Sequence, residues 1–122
     1  MIQLSVVAKV INLDYLEENE RLALTELKLK IKRLLGSKLL AIILYGSKAR
    51  GDYDIDSDTD IAIIVEDLAK ELKFQILDIV TAIELEYLTP LSTLIPSKRE
   101  FEFLKSRERR IALDIEREGI EI

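Results

Sequence analysis

With 122 residues, 48% of them hydrophobic and 34% charged, the chain is long enough for one domain with its own core and too apolar to be disordered. It has no cysteine and no histidine, which excludes a disulfide framework, a thiolate or imidazole metal site and histidine general-base chemistry; any acid–base or metal chemistry must rest on Asp and Glu, whose oxygens suit magnesium or manganese. A net charge of −5 argues against a duplex-binding module and favours a small-molecule substrate or a protein partner.

The opening MIQLSVVAKVIN has no basic start and no cleavage-like site, so it reads as part of the fold and not as a signal peptide. No apolar run approaches the ~18 residues that would span a bilayer, and a cytoplasmic protein without membrane attachment is expected. From Asp14 to Leu35 the spacing of Leu16, Leu22, Leu24, Leu27, Ile31, Leu34 and Leu35 predicts a helix, stopped at Gly36. An exposed apolar face on it would suit a homo-oligomer or a partner. Lys38 to Tyr45 is a short apolar run that predicts a buried strand, ended by Gly46 and Ser47. Ser47 can cap a short helix through Lys48, Ala49 and Arg50, and Gly51 to Ser57 is a polar, acidic loop. Asp58 to Val65 predicts a second strand, and Asp67 to about Glu84 a helix with Leu68, Leu72, Ile76, Ile79, Val80 and Ile83 on one side. Leu85 to Ile95 contains a third strand, which Pro90 would confine to an edge or a bulge, and Pro96 and Ser97 break it. Lys98 to Glu118 is mostly helical and heavily charged, closed by Gly119. No linker or repeat divides residues 1–122, so a single α/β domain with a small sheet flanked by helices is expected.

The chemistry concentrates in GSKARGDYDIDSDTDIAIIV, from Gly46 to Val65. Gly46 lets the backbone approach a ligand, and the amides of the turn after it can face phosphate oxygens, with the Ser47 hydroxyl as a further donor. Arg50 and Lys48 add cationic donors for a triphosphate, and Ser57 orders the loop before the carboxylates. Asp58 and Asp60 are one residue apart on a predicted strand and therefore project to the same face, which makes them the candidate metal ligands.

The ordered set Gly46, Ser47, Ala49, Arg50, Gly51, Asp52, then Ser57, Asp58 and Asp60 ahead of an apolar strand resembles the nucleotidyltransferases of the DNA polymerase beta superfamily, and among them the small minimal nucleotidyltransferases. The strong match covers about twenty residues, and the flanking helices and the ending EREGIEI are similar in arrangement. The resemblance implies a palm-like mixed sheet flanked by helices. It implies Mg2+- or Mn2+-dependent transfer of a nucleoside monophosphate from a triphosphate, with ATP the expected one, to a hydroxyl. It also implies a third catalytic carboxylate on a neighbouring strand. The expected strand, around LTPLSTLI, carries no acidic residue; Glu84 and Glu86 lie just before it, and Glu86 is the better candidate. The resemblance further suggests the antitoxin of a toxin–antitoxin pair, adding nucleotide to a HEPN-type partner protein. Two rival readings remain: an antitoxin that neutralises its partner by contact alone, and a stand-alone transferase acting on a small molecule or an RNA end, the latter disfavoured by the acidic charge.

Overall fold

The structure is a computed structural model that describes residues 16–54 and 56–122. The opening segment, the expected helix start at Asp14 and Tyr15, and Ile55 lie outside the described residues. Helix α1 spans Glu18–Leu35 and buries Leu24, Leu27, Ile31 and Leu35, the three- and four-residue steps of its sequence. It opens on a capping box between Glu17 and Glu20 and closes at Gly36, whose φ of 55° with ψ of −126° is a combination that glycine adopts without a Cβ clash. The expected apolar set divides at Leu22, which is exposed together with Leu29.

After one turn of 3-10 helix at Gly36–Lys38, strand β1 (Leu39–Tyr45) leads into the one-turn helix α2 (Ser47–Arg50). Strand β2 (Thr59–Val65) follows the polar loop, then helix α3 (Lys70–Tyr87), strand β3 (Leu91–Leu94), helices α4 (Lys98–Ser106) and α5 (Arg110–Glu118), and strand β4 (Ile120–Glu121). The sheet order is β3-β2-β1-β4, with β1 antiparallel to both its neighbours and β2 parallel to β3. The expected mixed sheet with flanking helices is therefore observed.

Alternation along β1 and β2 divides the core between two faces. Ile42, Leu44, Ile61, Ile63 and Val65 pack with α1 and α3, and Ala41, Ile43, Ala62 and Ile64 pack with Phe101 of α4 and Ala112 and Ile115 of α5. Because both faces are covered, both strands read as continuous apolar runs. Pro90 immediately precedes β3, which is an edge strand as expected, and its carbonyl accepts from the Thr59 amide at 3.3 Å.

Local readings change: α3 begins at Lys70 and not at Asp67, and Gly46, not Ser47, caps α2. Helix α3 continues through Tyr87, so Glu84 and Glu86 are helical; Leu88, in the left-handed region at φ 50°, caps the helix with its N–H on the Glu84 carbonyl. The charged tail is helical as expected and divides into two helices, broken where Glu108 turns to φ 52°. Its first helix starts on a Ser97–Glu100 capping box, and Ser97 Oγ accepts from the Glu100 amide at 3.1 Å. Strand β4 was not expected: two residues are too few to show an alternating pattern. No helix among the described residues is long and apolar enough to cross a membrane.

Candidate functional site

The site lies where β1 ends and β2 begins. Gly46 is the N-cap of α2, with φ 75° and ψ −157°, and its carbonyl accepts from the amides of Ala49 and Arg50, both at 3.1 Å. A one-turn helix started this sharply orients its first amides back toward the glycine. Antiparallel pairing sets Tyr45 opposite Asp60, which brings the Asp60 carboxylate over Gly46. A Cβ on Gly46 would run into Asp60 Oδ2 and stand 3.2 Å from its Cγ. The glycine is thus required twice, by its backbone angle and by the carboxylate beside it.

Burial holds the Asp60 carboxyl above its ordinary pKa, and the negative charge of Asp58 adds to that; a hydrogen bond from Ser92 and the positive charge of Arg50 pull the other way. Ser92 is the parallel-pair partner of Asp60 on β3. Asp58 is exposed one residue before β2, so the strand begins at Thr59 and not at Asp58. Tyr45 is raised by burial and then by Asp60. The structure thus gathers Gly46, Asp58, Asp60 and Arg50, four residues singled out by sequence, and adds Ser92 and Tyr45.

Arg50 is held by carboxylates from two directions. Its Nε donates to Asp52 Oδ1 and Oδ2 at 3.2 and 3.0 Å, and its Nη1 donates to Glu118 Oε2 of α5 at 2.7 Å. Lys48 is buried: it forms an ion pair with Glu20 of α1, its ammonium is 4.8 Å from the centre of the Tyr53 ring, and Thr59 Oγ1 donates to the same Glu20 at 3.2 Å. Ser57 orders the loop: its hydroxyl accepts from the Asp54 amide at 3.1 Å and donates to Asp54 Oδ1 at 3.2 Å, and the Asp56 amide donates to the same oxygen at 3.0 Å. Ser47 is the first residue of α2 and half-buried.

The expected third carboxylate lies elsewhere. Glu84 Oε2 accepts from the Leu91 amide at 3.0 Å and so shapes the turn between α3 and β3. Glu86 is exposed on the last turn of α3, grouped with Tyr87 and with Glu26 of α1. Hydrogen bonds, first from Tyr87 and next from Lys30, hold the Glu26 carboxyl below its ordinary value. The position next to Asp60 on β3 belongs to Ser92. Among the described residues no group of three or more Asp, Glu, His or Cys side chains is placed to hold a metal ion. Two carboxylates of like charge, one of them partly buried beside a glycine that makes room for it, are nevertheless a donor set that fits a hard divalent cation.

Sequence reasoning missed Ser92, Glu20 and Glu118. The alternation from Leu91 to Leu94 carried a signal for Ser92; Glu20 and Glu118 meet the motif only through the tertiary fold.

The family profile described as Polymerase beta, Nucleotidyltransferase matches residues 29–122. The protein named "Putative protein adenylyltransferase MJ0141", from Methanocaldococcus jannaschii, is 41% identical over 75 residues, which are 60% of this chain and 75% of that one. Among solved structures, a "putative nucleotidyltransferase" from Sulfolobus solfataricus aligns with a TM-score of 0.45 at 18% identity, over 86% of both chains. A mutant of the toxin–antitoxin MntA–HpeT aligns with a TM-score of 0.48 at 18% identity, over 87% of this chain and 72% of that one.

Proposed function

This chain belongs to the polymerase beta nucleotidyltransferase family, and we propose from that premise that it transfers AMP from ATP to a hydroxyl group on a partner protein. The observation that carries the reading is the Gly46 turn closed against Asp60, with Asp58 and Arg50 beside it. Gly46 and the first α2 amides, those of Ser47 and Lys48, with the Ser47 hydroxyl and the Arg50 guanidinium, receive the triphosphate. Asp58 and Asp60 hold Mg2+ or Mn2+. The bound metal supplies charge neutralisation for the phosphates and the leaving pyrophosphate. The acceptor oxygen bonds to the α-phosphorus, the bond from that phosphorus to the bridging oxygen breaks, pyrophosphate departs, and the hydroxyl proton leaves to a base.

Lys48 and Ser57 serve the site by fixing α2 and the loop, since their polar atoms are engaged with Glu20 and Asp54. A protein acceptor is supported by the name of the M. jannaschii relative. The motif's likeness to minimal nucleotidyltransferases supports a HEPN-type toxin as that acceptor, with the pair in the cytoplasm. The contact-only antitoxin has one observation in its favour: Ser92, and neither Glu84 nor Glu86, stands beside Asp60.

Thermal unfolding of the purified protein with ATP, GTP, CTP or UTP, with and without Mg2+ or Mn2+, tests the site. ATP with metal at a hundredfold excess over its dissociation constant is expected to stabilise the fold by about 2.7 kcal/mol. The Asp58→Asn, Asp60→Asn double variant should fold and lose that gain. A gain undiminished in the double variant would overturn the assignment of the two aspartates, and no gain with any nucleotide favours the contact-only reading.

A further inference from the structure

Arg50 is exposed, and an exposed arginine is ordinarily a flexible one. Here it is fixed by carboxylates on two separate elements. Asp52, two residues on, takes the Nε edge with both oxygens, and Glu118, 68 residues away at the end of α5, takes Nη1 at 2.7 Å. Arg50 Nη2 has no partner among the described residues.

Glu118 is itself firmly placed. The next residue, Gly119, donates to the Ile115 carbonyl at 2.9 Å and lies so close to β1 that a Cβ there would be 2.5 Å from Ile43 Cγ2. Ile120 then pairs with Leu44, two residues before Gly46. The anchor of the guanidinium is therefore tied to the same strand that carries the phosphate turn.

Such an ion pair is weakly stabilising at an exposed position. Two negative charges beside the cation also oppose an incoming polyphosphate. Neither stability nor charge attraction accounts for Glu118, whereas orientation does. We infer that Glu118 is a positioning residue that, with Asp52, holds the Arg50 guanidinium in the orientation that meets the phosphates of a bound nucleoside triphosphate. The inference rests on the nucleotide site proposed above.

The test is a calorimetric titration of inorganic tripolyphosphate, and separately ATP, each with Mn2+, into wild type, E118A, E118Q, R50A and the E118A/R50A pair. Circular dichroism confirms the fold of each. E118A should weaken binding by about fivefold or more, and the loss should vanish in the R50A background, because groups acting through one partner are not additive. E118Q keeps an acceptor for Nη1 and should bind at least as well as wild type. The inference is overturned if E118A binds like wild type, if its loss is the same without Arg50, or if E118Q is as weak as E118A. A wild-type protein that binds neither probe refutes the nucleotide site itself, a different failure from wild-type binding that E118A leaves unchanged.

Discussion

Replacing Gly46 by alanine demands two things this turn lacks, room and a permitted backbone angle. The new Cβ would meet the Asp60 carboxylate, and φ of 75° is strained for any L side chain. Gly46→Ala should lower the free energy of unfolding by about 1–3 kcal/mol, read by urea denaturation, and remove nucleotide-dependent stabilisation even where the variant is fully folded. Asp60 makes the converse case. Its folded pKa lies above the ordinary value of 3.8, chiefly through burial and then through Asp58. The folded state therefore binds this proton more readily than the unfolded state, and the charged form opposes folding at neutral pH. As pH falls through the raised folded value toward 3.8 the penalty fades. In metal-free buffer Asp60→Asn should raise the melting temperature at pH 7, by an amount that shrinks on acidification; no gain at pH 7 would contradict the burial argument. At this scale Gly46, Asp58, Asp60 and Arg50 were legible because their spacing is local. Ser92 was only partly legible, because its pairing with Asp60 depends on the register of a parallel strand.

Among the elements, α2 is too short to be stable alone, having a single turn for its nucleus. Its two cations hold it in place differently. Lys48 reaches α1 through Glu20, with side-chain exposures of only 7% and 6%. Arg50 reaches α5 through a pair that is open to solvent. Lys48→Met leaves the Glu20 carboxylate buried with only neutral donors, the Thr59 hydroxyl and the Glu17 amide, and should cost about 3–5 kcal/mol. Arg50→Met should cost well under about 1 kcal/mol. Parallel denaturation curves of the two variants check the contrast, and equal losses would mean that burial does not separate them. Periodicity made α1, α3, β1 and β2 legible, since their apolar spacing is a direct imprint of which face is covered. The division of the tail was less visible, because charge is dense on both sides of Glu108 and the break is a backbone event. The Ser97–Glu100 capping box was nevertheless present in the sequence as a helix start.

Across the whole molecule the Gly46 turn sits between two helical layers. Lys48 ties it to the layer of α1 and α3, and Arg50 ties it to the layer of α4 and α5. Glu20 and Glu118 lie 28 and 68 residues from their partners, so no local pattern could have shown the arrangement. Gly119 is where the second layer is fastened to the sheet. Its backbone is extended, at φ −63° and ψ 140°, so an alanine is allowed by angle and forbidden by space: the added methyl would press on the Ile115 carbonyl and on Ile43 Cγ2. Relief requires α5 and β4 to move away from β1, which carries Glu118 off Arg50. Gly119→Ala should therefore destabilise the protein by about 1–3 kcal/mol, the range for overpacking a dense core. Below its unfolding transition it should also bind ATP with Mn2+ as weakly as Glu118→Ala does. A variant that loses stability yet binds like wild type would separate the fastening of α5 from the placement of Arg50.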